Sequence, residues 1–248
     1  MNRSVRLVVF GIGATCLALL YGLAVVDLPP FGTDRHPYRD HAVAAAVRHA
    51  TPNVVSAVTF DQRGLDTLGE EIILLGSVVG AATLLRPGRG EREHRVEDVG
   101  RQPDAVVLVS YLMLPLTLLL GVNLVLHGHL TPGGGFQGGV VLSTGLHLLY
   151  LSGSYRALAR LRPLAWYEWS EGGAAAGLAG IGLAGIATGH GLLANLLPQG
   201  RFQDFLSAGT VPVLNVVVGF AVGTAVVVLL AQFLAQALAT SPRGSGGG

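Results

Sequence analysis

The sequence predicts an all-α, polytopic integral membrane helix bundle of about six transmembrane helices, and three observations point there. Half of the 248 residues are hydrophobic and only 12% are charged, against about a quarter charged in water-soluble domains. Mean hydropathy is +0.55. Six apolar runs match the ~20 residues that cross a bilayer core: Leu7–Val26, Leu68–Leu85, Ala105–His127, Phe136–Ser152, Gly172–Leu193 and Val211–Leu238.

The formal net charge is +1, and all 16 basic residues are arginines spread through the connections, which argues against a nucleic-acid partner. Cys16 is the single cysteine and lies in an apolar run. It excludes an intramolecular disulfide and a thiolate metal site.

The first run follows Arg3 and Arg6 as a signal peptide would, but its apolar stretch is too long and no small-x-small site precedes Asp27, so a retained anchor is expected. Asp27–Thr67 is the longest connection. Within it, Val54–Phe60 is an apolar, β-branched patch that either lies at the interface or packs against a neighbour. Thr67 and Glu70 read as a capping box opening the second run. Residues 86–104, RPGRGEREHRVEDVGRQPD, form a charged linker, and the tail SPRGSGGG, 241–248, reads as disordered.

Arginine counting sets the orientation. With the N-terminus inside, 11 arginines fall on cytoplasmic segments and 5 on outside ones. Both termini are then cytoplasmic and the connection after the third run faces outward. Gly76/Gly80, Gly173/Gly177, Gly185/Gly189 and Gly219/Gly223 have the spacing that lets helix backbones approach in lipid. Gly180–Gly185 matches a dinucleotide fingerprint in form only, lacking a preceding strand. No internal repeat supports a transporter core, and no nucleophile–base pair or phosphate loop supports an enzyme.

His127 to Gly139, HGHLTPGGGFQGG, is the most informative stretch. Pro132, Gly133, Gly134, Gly135, Gln137, Gly138 and Gly139 offer almost no side chain to cover the backbone, so other groups must satisfy its amides. The run after it has 17 residues, about 26 Å against a core of about 30 Å. Two readings follow: the turn dips into the membrane, buried in protein or lining water, or it is a tight external hairpin whose glycines permit close packing against another subunit.

Asp61, Arg63, Asp66, Glu70 and Glu71 crowd the mouth of the second run. Ionisable groups there either feed an ion path or cap and pair locally. His127 and His129 lack a third ligand at helical spacing, so no metal and no cofactor is expected. His147 and His190 lie in spans and are read as paired within the bundle, with proton relay the alternative. Asn123 and Asn215 are intramembrane polar residues expected to hydrogen-bond between helices.

HGHLTPGGGFQGGVVLSTGLHLLYL, with SAGTVPVLNVVVGFAVG at 207–223, resembles the MnhB/MrpB subunit of multisubunit monovalent cation/proton antiporters. NVVSAVTFDQRGLDTLGEE, 53–71, resembles the MbhE-like module found in membrane-bound hydrogenases and at the end of the large subunit of the antiporters. The resemblance implies a two-helix module over 1–90, a cytoplasmic linker over 91–104 and an MnhB-like four-helix domain over 105–240. It implies a subunit in a bacterial cell membrane, surrounded by lipid and partnered by other membrane subunits, in a complex exchanging cytoplasmic Na+ for external H+. The chain contains no lysine, so the lysine-bearing translocation machinery would belong to a partner. The alternative is a purely architectural subunit of a respiratory or hydrogenase-type complex.

Overall fold

The computed structural model describes residues 3–28, 32, 34, 36–85, 102–152 and 164–240. The described regular structure is entirely helical. The chain divides into two units, Met1–Asp40 and His41–Gly248. In the first, α1 (Arg3–Val26) is a 24-residue helix without an interior proline, and every residue is exposed. At about 1.5 Å per residue it is ~36 Å long, enough to span a hydrocarbon core.

The expected long connection is largely helical. α2 (Pro37–Arg48) begins on a proline, whose missing N–H costs nothing at a first helical position, and carries Asp40 in its first turn and Arg48 in its last, both favoured by the helix dipole. It closes where Ala50 turns left-handed, at φ 52, and Thr51 N–H reaches back to the Ala46 carbonyl at 2.9 Å. α3 (Val54–Ala57) starts on Asn53, whose Oδ1 accepts from the Val55 and Ser56 amides at 3.1 and 3.4 Å. A wide, π-type turn over Val58–Gln62 follows, and after a break at Arg63 comes α4 (Gly64–Leu84). The apolar patch Val54–Phe60 is therefore helical, and Phe60 is buried in the core beside Leu214 and Val218.

The capping box is not formed. α4 starts at Gly64, a turn before Thr67, and the Thr67 hydroxyl donates to the Thr59 carbonyl at 2.7 Å instead of capping an amide. Because α4 starts three residues before it, Thr67 lies inside the helix and not at its N-cap position.

α5 (Asp104–Leu126), α6 (Gly135–Leu151), α7 (Leu164–Ala187) and α8 (Val211–Thr240) complete the bundle. α8 is central: it packs against α6, α7 and α4, while α5 packs mainly on α6. Its inward face carries Val211, Leu214, Val218 and Val222, which meet Leu178 of α7, Leu193 and Phe60. Among the described residues, four helices are long and apolar enough to cross a membrane: α1, α4, α5 and Val211–Phe233 of α8. α6 has 17 residues and the apolar part of α7, Gly172–Ala187, is also short.

The fifth run ends earlier than its hydropathy suggests. Gly189 is left-handed, at φ 79, and His190 N–H bonds the Gly185 carbonyl at 2.9 Å, which ends α7 at Ala187 in a glycine cap. Leu193 is not span but a loop residue folded back into the core. His190 thus sits past the helix, exposed, with Nδ1 3.3 Å from the Thr188 hydroxyl, not paired inside the bundle. Of the four glycine pairs, Gly219/Gly223 lie on a tight helix crossing, whereas a Cβ at Gly76, Gly80, Gly173 or Gly189 would meet nothing within 4 Å among the described residues. Most of the linker 91–104 and all of the tail 241–248 lie outside the described residues.

Candidate functional site: the glycine turn and the acidic segment

The two stretches singled out in the sequence meet. Asn53, heading the acidic segment, donates from Nδ2 to the Gly128 and Thr131 carbonyls at 2.7 and 2.9 Å, and its N–H donates to the His129 carbonyl at 3.0 Å. One side chain thereby caps α3 with its oxygen and holds the far turn with its nitrogen.

The opposite wall is Asn215, on α8 and fully buried (0% exposed). Its Oδ1 accepts from the Gly135 amide at 2.8 Å; its Nδ2 donates to the Ser56 hydroxyl at 3.0 Å and to the Val211 carbonyl at 3.1 Å. The first amide of α6 is thus capped from another helix. Gly134 N–H folds back onto the Leu124 carbonyl at 3.2 Å. The Gly134 and Gly135 amides are thus answered inside the protein.

The glycines follow from the closeness. A Cβ on Gly128 would lie 2.6 Å from the Gly134 Cα and 2.7 Å from Asn215 Oδ1, and Gly134 itself has φ +138, a region that side chains rarely enter. One turn on, Gly139 crosses Gly219 and Gly223, where a Cβ would come within 2.7 Å of the Gly219 carbonyl oxygen. Gly138 presses equally against Gly121 of α5. Pro132 and Gln137 are exposed, and Gly133 is half-buried.

His129 is fully buried (0% exposed) in the turn beyond α5; its ring Nε2 donates to the Phe205 carbonyl at 3.1 Å, and Nδ1 has no partner among the described residues. Burial, and secondarily the neighbouring His127, lower its pKa, although the Phe205 carbonyl pulls the other way. Because the folded pKa is depressed, the unfolded chain binds more protons at mildly acid pH. The His129 contribution to stability is present above about 6.5, the ordinary histidine value, and declines as pH falls towards the folded pKa. We expect the thermal midpoint to drop between pH 7 and 5, and His129→Gln, which keeps an N–H donor, to flatten that drop. A midpoint equally pH-dependent in the variant would exclude His129 as the cause.

His127 is half-buried against the Phe205 ring, with centroids 5.4 Å apart, and bonds within its own helix: Nδ1 lies 3.1 Å from the Asn123 carbonyl and 3.3 Å from Asn123 Nδ2. Asn123 therefore makes its contact along α5 and not between helices. His147 is half-buried on α6, and its Nε2 is buried without a partner among the described residues.

The acidic residues separate. The Asp61 side chain (4% exposed) pairs with His49, just past the end of α2, beside Gln62, which donates to the Ala42 carbonyl at 3.1 Å. Arg63 and Asp66 pair on the surface, three residues apart on the chain. Glu70 faces out, whereas Glu71 (6% exposed) faces in. Neither His49 nor the bridging role of Asn53 is evident from the sequence. An Asn before an apolar run is an N-cap signal, but nothing local announces its second set of partners 75 residues away.

Residues 105–228 match the family model described as a domain related to the MnhB subunit of Na+/H+ antiporter. An uncharacterized protein of Methanocaldococcus jannaschii is 29% identical over 231 residues, 83% of this chain and 82% of its own length. A probable K+/H+ antiporter component of Rhizobium meliloti is 34% identical over 140 residues, 46% of this chain but only 14% of that protein. Among solved structures, a chain of the membrane-bound sulfane sulfur reductase, an archaeal respiratory membrane complex, superposes with a TM-score of 0.72 at 28% identity, covering 93% of this chain and 98% of that one. A chain of the Mrp complex from a Dietzia species superposes at 0.67 and 23% identity, covering 100% of this chain and 27% of that one, a likeness of fold. The matched domain contains the whole glycine turn, α6 and Asn215, so this multi-pass integral protein of the cell membrane belongs to the family of the MnhB subunit of Na+/H+ antiporters.

Proposed function

We propose that the chain is a non-catalytic subunit of a multisubunit cation/proton antiporter, exchanging cytoplasmic Na+ or another monovalent cation for external H+, and that it serves both assembly and the cation path. The observation that carries this reading is the double clamp of Asn53 and Asn215, which fastens the acidic segment to the glycine turn. A rigid joint there fixes Asp66, Glu70 and Glu71 relative to the family domain. Six crossings with cytoplasmic termini, and a two-helix module ahead of the four-helix domain, fit the arginine distribution. Companion membrane subunits supply the lysines that this chain lacks.

Glu70 is exposed on α4, where it can meet a hydrated path or a companion without supporting this chain's own core. Glu70→Gln is expected to lower antiport by at least about tenfold, a ~1.4 kcal/mol loss, while the complex assembles normally; everted vesicles with a pH-sensitive dye read both cation- and proton-driven flux. Full antiport in that variant would favour the second reading, an architectural subunit of a respiratory complex, which the likeness to the sulfane sulfur reductase chain supports.

A further inference from the structure

A cavity of about 430 Å3 opens beside the turn, between the ends of α5 and α8 and the loop that precedes α8. Its walls include Leu126, Leu197, Leu206, Pro212, Val213 and Val216. We propose that this cavity seats a single acyl chain of a bilayer lipid.

The walls carry no Arg, Asp or Glu; their polar side chains are His129 and Ser207, so nothing there would select a charged headgroup. Leu126, Val213 and Val216 belong to α5 and α8 and are 39%, 41% and 43% exposed. The cavity therefore adjoins exposed apolar side chains of these two helices.

The loop is built to stay in place. Asn195 Oδ1 accepts from the Thr210 amide at 2.7 Å, the Thr210 hydroxyl accepts from the Leu196 amide at 2.9 Å, and Ala208 N–H bonds the Gln199 carbonyl at 2.9 Å. Gly200, Gln203, Ala208 and Gly209 all take positive φ to close it. This fixed loop displays Leu206 at 82% and Phe205 at 51% exposure, an arrangement unfavourable in water and natural against acyl chains. The cavity is too small to enclose a companion helix. One helical turn, about 10 Å across and 5.4 Å high, would already fill the cavity, and a spanning helix cannot stop after one turn. A file of methylenes can enter from the side.

The test places p-benzoylphenylalanine at Leu206, and separately at Val213, in the whole complex in its native membrane. Illumination is expected to attach a phospholipid mass to this chain, and the groove-filling Val216→Trp to remove most of that adduct. Attachment to another polypeptide would overturn the proposal, as would an undiminished lipid adduct in Val216→Trp. Independently, Leu206→Trp in a Trp166→Phe, Trp169→Phe background should be quenched by lipids brominated along the acyl chain. Emission that is red-shifted and unquenched would place the loop in water and reject the site.

Discussion

Gly139→Val is expected to unfold the α6–α8 crossing and prevent accumulation of the chain. The added Cβ would sit 2.7 Å from the Gly219 carbonyl oxygen and 2.9 Å from both the Gly223 nitrogen and the Val222 Cβ. Two of those three atoms are backbone, so no rotamer change relieves the contact; α6 must move bodily. Moving it also opens the packing at Gly135, where a Cβ would lie only 2.6 Å from the Asn215 carbonyl oxygen. Core overpacking costs about 1–3 kcal/mol where side chains can yield, and backbone against backbone places this change at the upper end or beyond. The thermal midpoint of the detergent-solubilised chain measures it. Gly76→Ala is the contrast: nothing among the described residues lies within 4 Å of the added methyl, so the midpoint should stay within the effect of an ordinary surface change, about 0.5 kcal/mol. A Gly139→Val chain as stable as Gly76→Ala would mean that the close helix crossing does not exist.

The second large effect is expected at Asn215. Asn215→Leu preserves volume but strands the buried Gly135 amide and deprives the Ser56 hydroxyl of its donor. Hydrogen bonds between helices in membranes are worth about 0.6 kcal/mol on average, whereas a buried donor left without an acceptor costs about 1–3 kcal/mol. The second figure governs, because the amide lies inside protein where neither lipid nor water answers it. A loss of about 2–3 kcal/mol is expected, together with failure to join companion subunits, since the glycine turn loses one wall. Ser56→Ala should cost much less, because Asn215 keeps its bonds to Gly135 and Val211. If the two variants lowered stability equally, the bond to Gly135 would not be the important one.

Much of the fold is legible in the sequence because apolar length and glycine placement are local signals. The starts of α5, α6 and α8 fall within a residue of the apolar runs, and Gly219/Gly223 mark a true crossing. Where sequence and structure part, a nonlocal partner has taken over. The spacing of Thr67 to Glu70 points to a cap, but α4 starts earlier, at Gly64, and the Thr67 hydroxyl goes to the Thr59 carbonyl. The hydropathy of Leu193 points to a span, but the Gly189 cap turns it into the core. Asp61, Arg63 and Asp66 are neighbours on the chain, yet a half-buried pairing with His49 takes Asp61 away from the other two.

Residue identity alone points to a chain that lives in lipid and to a turn at His127–Gly139 whose amides some group outside the turn must satisfy. Hydropathy and glycine content are properties of the residues in order, so no partner has to be known. Which groups do the satisfying is a matter of the folded chain: Asn53 and Asn215 stand 75 and 80 residues away from the atoms they hold. A hydrogen bond reports distance in space, and only the packing of the helices brings those atoms together.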